Sequence, residues 1–203
     1  EMKNIATFSA WDIETTTVDL NDGYPYLGWE NDNETTWLIY QAEQLFCGGT
    51  GSIADPYMIS TPEQLANMSS NLTAHYKLNN SIDLDVAPYN TGNGWAPIGD
   101  AWDKFFNGTF DGDGHTISNL YINQSSKDYI GLFGYVSLGN ISNITLLNIN
   151  ISCPNCEYVG GLIGNSHDAI ISNSHVEGTI IGKWAVGGLI GHTQRNKISE
   201  SSS

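Results

Sequence analysis

The 203-residue chain carries 22 Asp and Glu against 7 Lys and Arg, a formal net charge of −15. It is long enough for one or two domains with a buried core, and the missing Lys/Arg footprint argues against a nucleic-acid partner. So acidic a surface suits solubility, cation-rich surroundings or a salty exterior, and no apolar run approaches the ~20 residues of a membrane span.

Gly, Asn, Ser and Thr fill much of the chain, with β-branched residues between them, which predicts an all-β protein of short strands and turns. The chain opens on Glu1 without a basic-then-apolar leader, a start that fits either a removed leader or an excerpt from a longer protein. Residues 6–13 and 22–29 place aromatics on both sides of a Gly/Pro turn, predicting two short strands that bury rings against something larger. Residues 31–36 form a polar connector and 37–46 are apolar enough to pack. The glycine-rich stretch Cys47–Ser52 predicts a hinge-like break, dividing an N-terminal capping or docking segment (1–48) from the rest (49–203). Tyr57–Ile59 reads as a strand. Thr61 as N-cap and Pro62 in the first turn then open a helix, carried by Leu65, Met68 and Leu72 over about 62–71.

Tyr76–Leu78 and Ile82–Leu84 begin strand-like alternation, and residues 88–99 form a loop carrying Trp95. Residues 106–117 read as two short strands around a tight Asp/Gly turn. A fixed phrase follows: Gly131-Leu132-Phe133-Gly134, Gly161-Leu162-Ile163-Gly164 and Gly188-Leu189-Ile190-Gly191. Each copy precedes Ile-Ser at the same offset, at Ile141-Ser142, Ile171-Ser172 and Ile198-Ser199. Recurrence every ~27–30 residues marks a stacked repeat, and strands this short are stable only when each coil buries its inward residues on the next. The fold expected is a parallel β-helix, or β-solenoid, with coils ~4.8 Å apart. Its phrase glycines serve positive φ or close approach at corners.

Tyr158-Val159-Gly160-Gly161-Leu162-Ile163-Gly164 and Ala185-Val186-Gly187-Gly188-Leu189-Ile190-Gly191 resemble the GLUG repeat, known from large bacterial and archaeal surface and adhesin-like proteins. Residues 55–65 look like the usual opening of such a region, as does the later stretch 106–119. Residues 1–29 resemble the segment that closes one after its last coil. The resemblance implies a scaffold and carries no reaction with it. It also places a closing segment first and leaves the final coil uncovered, which predicts serial assembly, covalent or not, through Phe8, Trp11, Tyr24, Tyr26 and Trp29 at one end and Leu189, Ile190 and Ile198 at the other.

Nine Asn-x-Ser/Thr triplets stand at Asn33, Asn67, Asn71, Asn79, Asn107, Asn123, Asn140, Asn143 and Asn150. Glycosylation at some of them is expected, which requires an extracellular or cell-surface address. Cys153-Pro154-Asn155-Cys156 has the spacing of a redox pair but no βαβ context, so a small-loop disulfide is expected, with free thiols or pairing to Cys47 as alternatives. Asp111, Asp113 and His115, with Asp100 and Asp103, are the nearest approach to a glycosidase constellation, which needs two carboxylates ~5–10 Å apart. Turn chemistry, each Asp bonding its own backbone, is the favoured account, and no catalytic residue is assigned. Asp19-Leu20-Asn21-Asp22-Gly23 has the start of a calcium loop without its bidentate Glu, and Asp83 and Asp85 could add ligands. Neither a metal nor a cofactor is expected. His167 and His175 could neighbour each other across a coil, while Trp11, Trp29, Trp37, Trp95, Trp102 and Trp184 offer either core packing or a carbohydrate-stacking face. The sequence therefore predicts an extracellular structural subunit, not an enzyme, whose partners are copies of itself or adjacent modules and possible surface glycans. A carbohydrate-binding or carbohydrate-cleaving β-helix is the alternative.

Overall fold

Strands of three residues cannot hold a flat sheet together, and here they are stabilised by stacking into coils. The computed structural model describes residues 45–203 together with two earlier strands, β1 (Asp12–Glu14) and β2 (Leu38–Tyr40), which pair antiparallel with Asp12 opposite Tyr40. The chain divides into two units, Glu1–Leu45 and Phe46–Ser203. The glycine-rich stretch after the division is hydrogen-bonded to the rest of the second unit. Cys47 donates its backbone N–H to Met58, Thr50 to Asp55, and His75 to the carbonyl of Gly51.

The second unit starts with β3 (Tyr57–Ile59) and helix α1 (Pro62–Asn67), continued by a 3₁₀ turn over Met68–Ser70. The helix is capped as its sequence predicts. Thr61 Oγ1 accepts from the Gln64 N–H, and Gln64 Oε1 accepts in return from the Ser60 N–H, a variant of the reciprocal capping box. Its α-helical part is shorter than the expected 62–71 because Met68 closes the turn in 3₁₀ geometry. Leu65 and Met68 are fully buried, so the helix seals its side of the core.

The rest is strand and corner: β4 (His75–Leu78), β5 (Ile82–Asp83), β6 (Thr109–Asp111), β7 (Thr116–Ser118), β8 (Tyr121–Asn123), β9 (Phe133–Ser137), β10 (Asn140–Ser142), β11 (Thr145–Ser152), β12 (Tyr158–Gly160), β13 (Ile163–His167), β14 (Ile170–Ser172), β15 (His175–Ile181), β16 (Ala185–Gly187), β17 (Ile190–Gln194) and β18 (Lys197–Ser199). After β4, successive strands in sequence do not pair. They feed parallel sheets: β3-β4-β6-β10-β14-β18, then β5-β7-β11-β15 with β8 also on β11, then β9-β13-β17, and the pair β12-β16. The two strands around the Asp/Gly turn, β6 and β7, thus belong to different walls, and the turn is a corner of the solenoid.

Register puts like on like. One inward column runs Tyr57, Tyr76, Phe110, Ile141, Ile171, Ile198, another Ile82, Ile117, Leu146, Val176, and a third Phe133, Ile163, Ile190. From Tyr76 to Ile171 the first column is completely buried, and each such side chain contributes about 1.5–3 kcal/mol. At the opening end aromatic rings fill the column. Phe46 stacks on Tyr57 at 4.5 Å, Tyr76 lies 6.3 Å from Phe106, and Phe106 lies 5.1 Å from Phe133. Trp95, expected on a loop, is fully buried and donates its indole N–H to the Leu132 carbonyl at 3.1 Å. The irregular segment it sits on is therefore part of the wall.

Coil length varies without disturbing these columns. Partners in the wall are 30 residues apart at Asn143 and Asn173 but 27 apart at Asn165 and His192. The longer coil holds one more residue at a bulge between Leu146 and Ile149, and two more in the loop between β11 and β12.

Two devices turn the chain. Corners are made by residues in the left-handed region that are mostly not glycine: Asn119, Asn143, Asn148, Asp168, Asn173, Arg195 and Glu200 all have φ between 47° and 60°. Asn and Asp tolerate this region better than other side chains. The phrase glycines have the opposite role. Their φ is ordinary, but a Cβ on Gly161 would stand 2.5 Å from the Gly188 oxygen, and one on Gly164 2.6 Å from the Ile130 nitrogen. Close approach of backbone explains them, and positive φ does not.

Candidate functional site

The corner asparagines do more than turn the chain. Asn143 Nδ2 donates to Asp111 Oδ1 at 2.9 Å, and Asn173 Nδ2 donates to Asn143 Oδ1 at 3.1 Å. On a second corner Asn119 Nδ2 donates to Asp83 Oδ1 at 2.7 Å, and Asn148 Nδ2 donates to Asn119 Oδ1. These amide ladders link coil to coil and hold the carboxylates in place. The bonds from Asn119 and from the Asp85 backbone N–H keep the Asp83 carboxyl below the ordinary carboxylate range. Sequence reasoning missed both ladders. The signal was available at Asn143 and Asn173, each directly after an Ile-Ser. Missed likewise was an outer ring stack: Tyr129 and Tyr158 lie 5.4 Å apart and nearly parallel, two and three positions before their glycine phrases.

The polar candidates do not converge. Asp111 is spent on Asn143 and on the Asp113 backbone N–H, while Asp113 pairs with Lys77 at 3.0 Å. The bond to Asp113 raises the Lys77 pKa. His115 is half-buried, Asp100 bridges Lys104 and Lys127, and Asp103 is exposed in the turn between Ala101 and Lys104. Asp85 donates its backbone N–H to Asp83 at 2.9 Å. Among the described residues no three His, Cys, Asp or Glu stand close enough to hold a metal. His167 and His175 lie in different sheets: His167 meets Arg195 and Asp168, and His175 Nδ1 meets Ser202 Oγ at 2.8 Å. The bidentate bond from Arg195 holds the Asp168 carboxyl low. Cys153 and Cys156 are joined by a disulfide with Cα atoms 5.3 Å apart, whereas Cys47 is exposed and bonds Met58 and Ser60. Trp102 and Trp184 are both 72% exposed, unlike Trp95. Phe8, Trp11, Asp19, Asn21, Asp22, Tyr24, Tyr26, Trp29, Asn33 and Trp37 lie outside the described residues.

What the fold does assemble is a face. On the last coil Val186 and Ile198 are 43% and 45% exposed, while their column neighbours Val159 and Ile171 are completely buried. Leu189 and Ile190 beside them are half-buried. Residues 200–203 turn the corner and lie along β15, where the Val176 N–H donates to the Ser202 carbonyl at 3.1 Å. Beside them opens a hollow of about 340 Å³ between His175, Val176, Gly178, Ile180, Gly188 and Ser203. Chemically this is an apolar stripe edged by strand N–H and C=O groups with no strand partner among the described residues, a template for further parallel strands.

A wall of parallel strands, like-on-like columns and amide ladders defines a β-solenoid. Residues 155–181 match the family described as Glug, the GLUG motif, so the chain carries a GLUG-repeat region. The chain is 37% identical over 164 residues to halomucin of Haloquadratum walsbyi, covering 76% of this chain and 2% of that protein. It is 36% identical to a protein of Evansella cellulosilytica described as a Gly-rich membrane protein, over 66% of this chain and 16% of the other. It is also 29% identical to an immunoglobulin A1 protease of Streptococcus sanguinis, spanning 9% of that enzyme. The chain thus corresponds to a small part of each of these relatives. In structure it resembles a Bacteroides ovatus protein described as an immunoglobulin A1 protease, with a TM-score of 0.55, 20% identity, and coverage of 77% of this chain and 69% of the other. That likeness concerns the fold. No helix among the described residues is long and apolar enough to cross a membrane.

Proposed function

We propose that this chain is part of an extracellular, cell-surface β-solenoid protein of surface-layer, adhesin or filament type, with a mechanical instead of a catalytic role. Its similarity to halomucin and to a Gly-rich membrane protein supports the surface address. Parallel hydrogen-bonded coils make a stiff body, and the face at Val186 and Ile198 makes a joint. The occupant of that face is the N-terminal unit, Glu1–Leu45, of another copy, whose first 29 residues resemble the segment that closes a GLUG region. One observation carries the reading: apolar columns that are dry through the body end at half-exposed Val186 and Ile198.

The test is complementation in solution. Ile198→Lys blocks one end and Trp29→Ser the other, so each variant alone stays monomeric and an equimolar mixture forms dimers only. The unmodified chain forms head-to-tail chains visible by negative-stain microscopy. Isolated monomers of the unmodified chain at high concentration refute the joint. The exposed Trp102 and Trp184 favour a second reading as a carbohydrate-binding solenoid. For a carbohydrate-cleaving solenoid the convergent carboxylates are missing at Asp111 and Asp113, which are already committed to Asn143 and Lys77.

A further inference from the structure

Eight of the nine Asn-x-Ser/Thr triplets fall in the described residues, and the fold treats them unequally. Transfer of a glycan requires the asparagine Nδ2 to be free and the triplet to reach into an enzyme groove, with the Ser or Thr hydroxyl presented alongside. Most of the triplets fail one condition. Asn143 Nδ2 is spent on Asp111 and its Oδ1 on Asn173, in the ladder. Asn140 and Asn150 lie in β10 and β11, each paired on both sides, and their middle residues Ile141 and Ile151 are completely buried. Asn67 is helical, with Met68 buried behind it. Asn107 is exposed, but Thr109 sits within β6 and bonds His75 at 2.9 Å. Asn79 gives its Nδ2 to Ser60, while Ser81 Oγ accepts from the Thr116 N–H.

Two triplets remain. In Asn71-Leu72-Thr73, between the 3₁₀ turn and β4, Asn71 and Thr73 are both exposed. Asn71 Oδ1 accepts from the Thr73 N–H at 3.3 Å and from its Oγ1 at 3.0 Å, an Asx turn that brings the hydroxyl to the carboxamide and leaves Nδ2 without a described partner. Asn123-Gln124-Ser125 runs off the end of β8, with Asn123 and Ser125 exposed and the Asn123 carboxamide bonded to no described residue.

We infer that, among the described residues, Asn71 and Asn123 are the N-glycan acceptor sites and that the other six described triplets are closed to transfer by the fold. The donor is a polyprenyl-phosphate-linked oligosaccharide. A bond forms between Asn Nδ2 and the sugar C1, the C1–O bond to the phosphate breaks with its electron pair leaving on the phosphate, and Nδ2 loses a proton to the enzyme's base. The inference rests on the extracellular reading, because such transfer takes place outside the cytoplasm.

The experiment separates the two. The full chain, made without glycans and folded, is treated with a purified single-subunit oligosaccharyltransferase and its lipid-linked oligosaccharide. Synthetic peptides carrying each triplet are treated in parallel, and site occupancy is read by peptide mass spectrometry. Relative to its own peptide, each closed site should be suppressed about a hundredfold or more, since strand opening is rare, whereas Asn71 and Asn123 should keep rates within about tenfold. Asn71→Gln with Asn123→Gln should abolish acceptance across residues 45–203 while leaving the circular dichroism spectrum unchanged. Transfer to folded Asn140 or Asn143 at peptide-like rates overturns the inference, as does suppression of Asn71 or Asn123 to the level of the closed sites. Acceptance in this assay with no glycan at either site on native material refutes the extracellular reading and leaves the acceptor geometry standing.

Discussion

Replacing Gly164 by Ala tests the account of the repeat phrase most directly. The added Cβ would lie 2.6 Å from the Ile130 nitrogen, 2.7 Å from the Tyr129 carbonyl carbon and 2.8 Å from the Gly134 oxygen, all backbone atoms of the neighbouring coil. No side chain can rotate away, so two hydrogen-bonded coils must separate by several tenths of an ångström. Overpacking of this kind costs about 1–3 kcal/mol, and rigid neighbours put it at the upper end. The entropy an Ala removes from the unfolded chain returns about 0.4–1 kcal/mol, leaving a net loss of about 2 kcal/mol. At ~2–4 °C per kcal/mol for a chain of this size, Tm should fall by about 4–8 °C. Gly114→Ala is the control. Gly114 has φ +78° with nothing within 4 Å of its would-be Cβ, so that variant meets only the left-handed backbone penalty, about 1 kcal/mol or less after the entropy gain. Differential scanning calorimetry compares the two. If Gly164→Ala melts at or above the temperature of Gly114→Ala, close approach is not what the phrase encodes.

The amide ladder makes a second prediction. Asn143→Ala removes two side-chain bonds and puts Ala at φ 56°, costing about 2–4 kcal/mol by urea unfolding, and Asn143→Gly should recover the backbone share alone. Acid should also weaken the fold. Asp83 and Asp168 titrate below their ordinary 3.8, and Asp100 does too, where burial works to raise it but Lys127 and Lys104 prevail. Carboxyls lowered by folding contribute stability above the unfolded value and lose it as pH falls through the folded one. The chain should therefore hold its midpoint down to about pH 4 and lose it below, and Lys127→Met should flatten part of that decline. A midpoint that rises on acidification below 4 would contradict the assignment.

The solenoid was legible where its signal is local and repeated. Ile141, Ile171 and Ile198 stand at one offset from their glycines, and that offset is the column. The ladders were harder to read, although Asn143 and Asn173 each follow an Ile-Ser. Asn is common throughout this chain, and the partner that gives Asn143 its meaning is 30 residues away at Asn173. The helix could be read from Thr61 and Pro62, but its early tightening at Met68 is set by packing on the core. Trp95 was legible as a loop residue with core packing as one reading, and here irregular backbone, which usually lies outside, closes a wall. His167 and His175 are eight positions apart, yet a corner intervenes and sends them to separate sheets.

The unequal coils carry a consequence of their own. Three residues are dropped between one turn and the next, at a bulge and in the disulfide-bearing loop, while the columns stay in register. Circumference and pitch are thus independent quantities in this molecule. Length along the axis counts turns, not amino acids, so sequence can drift in the loops without changing how far the protein reaches.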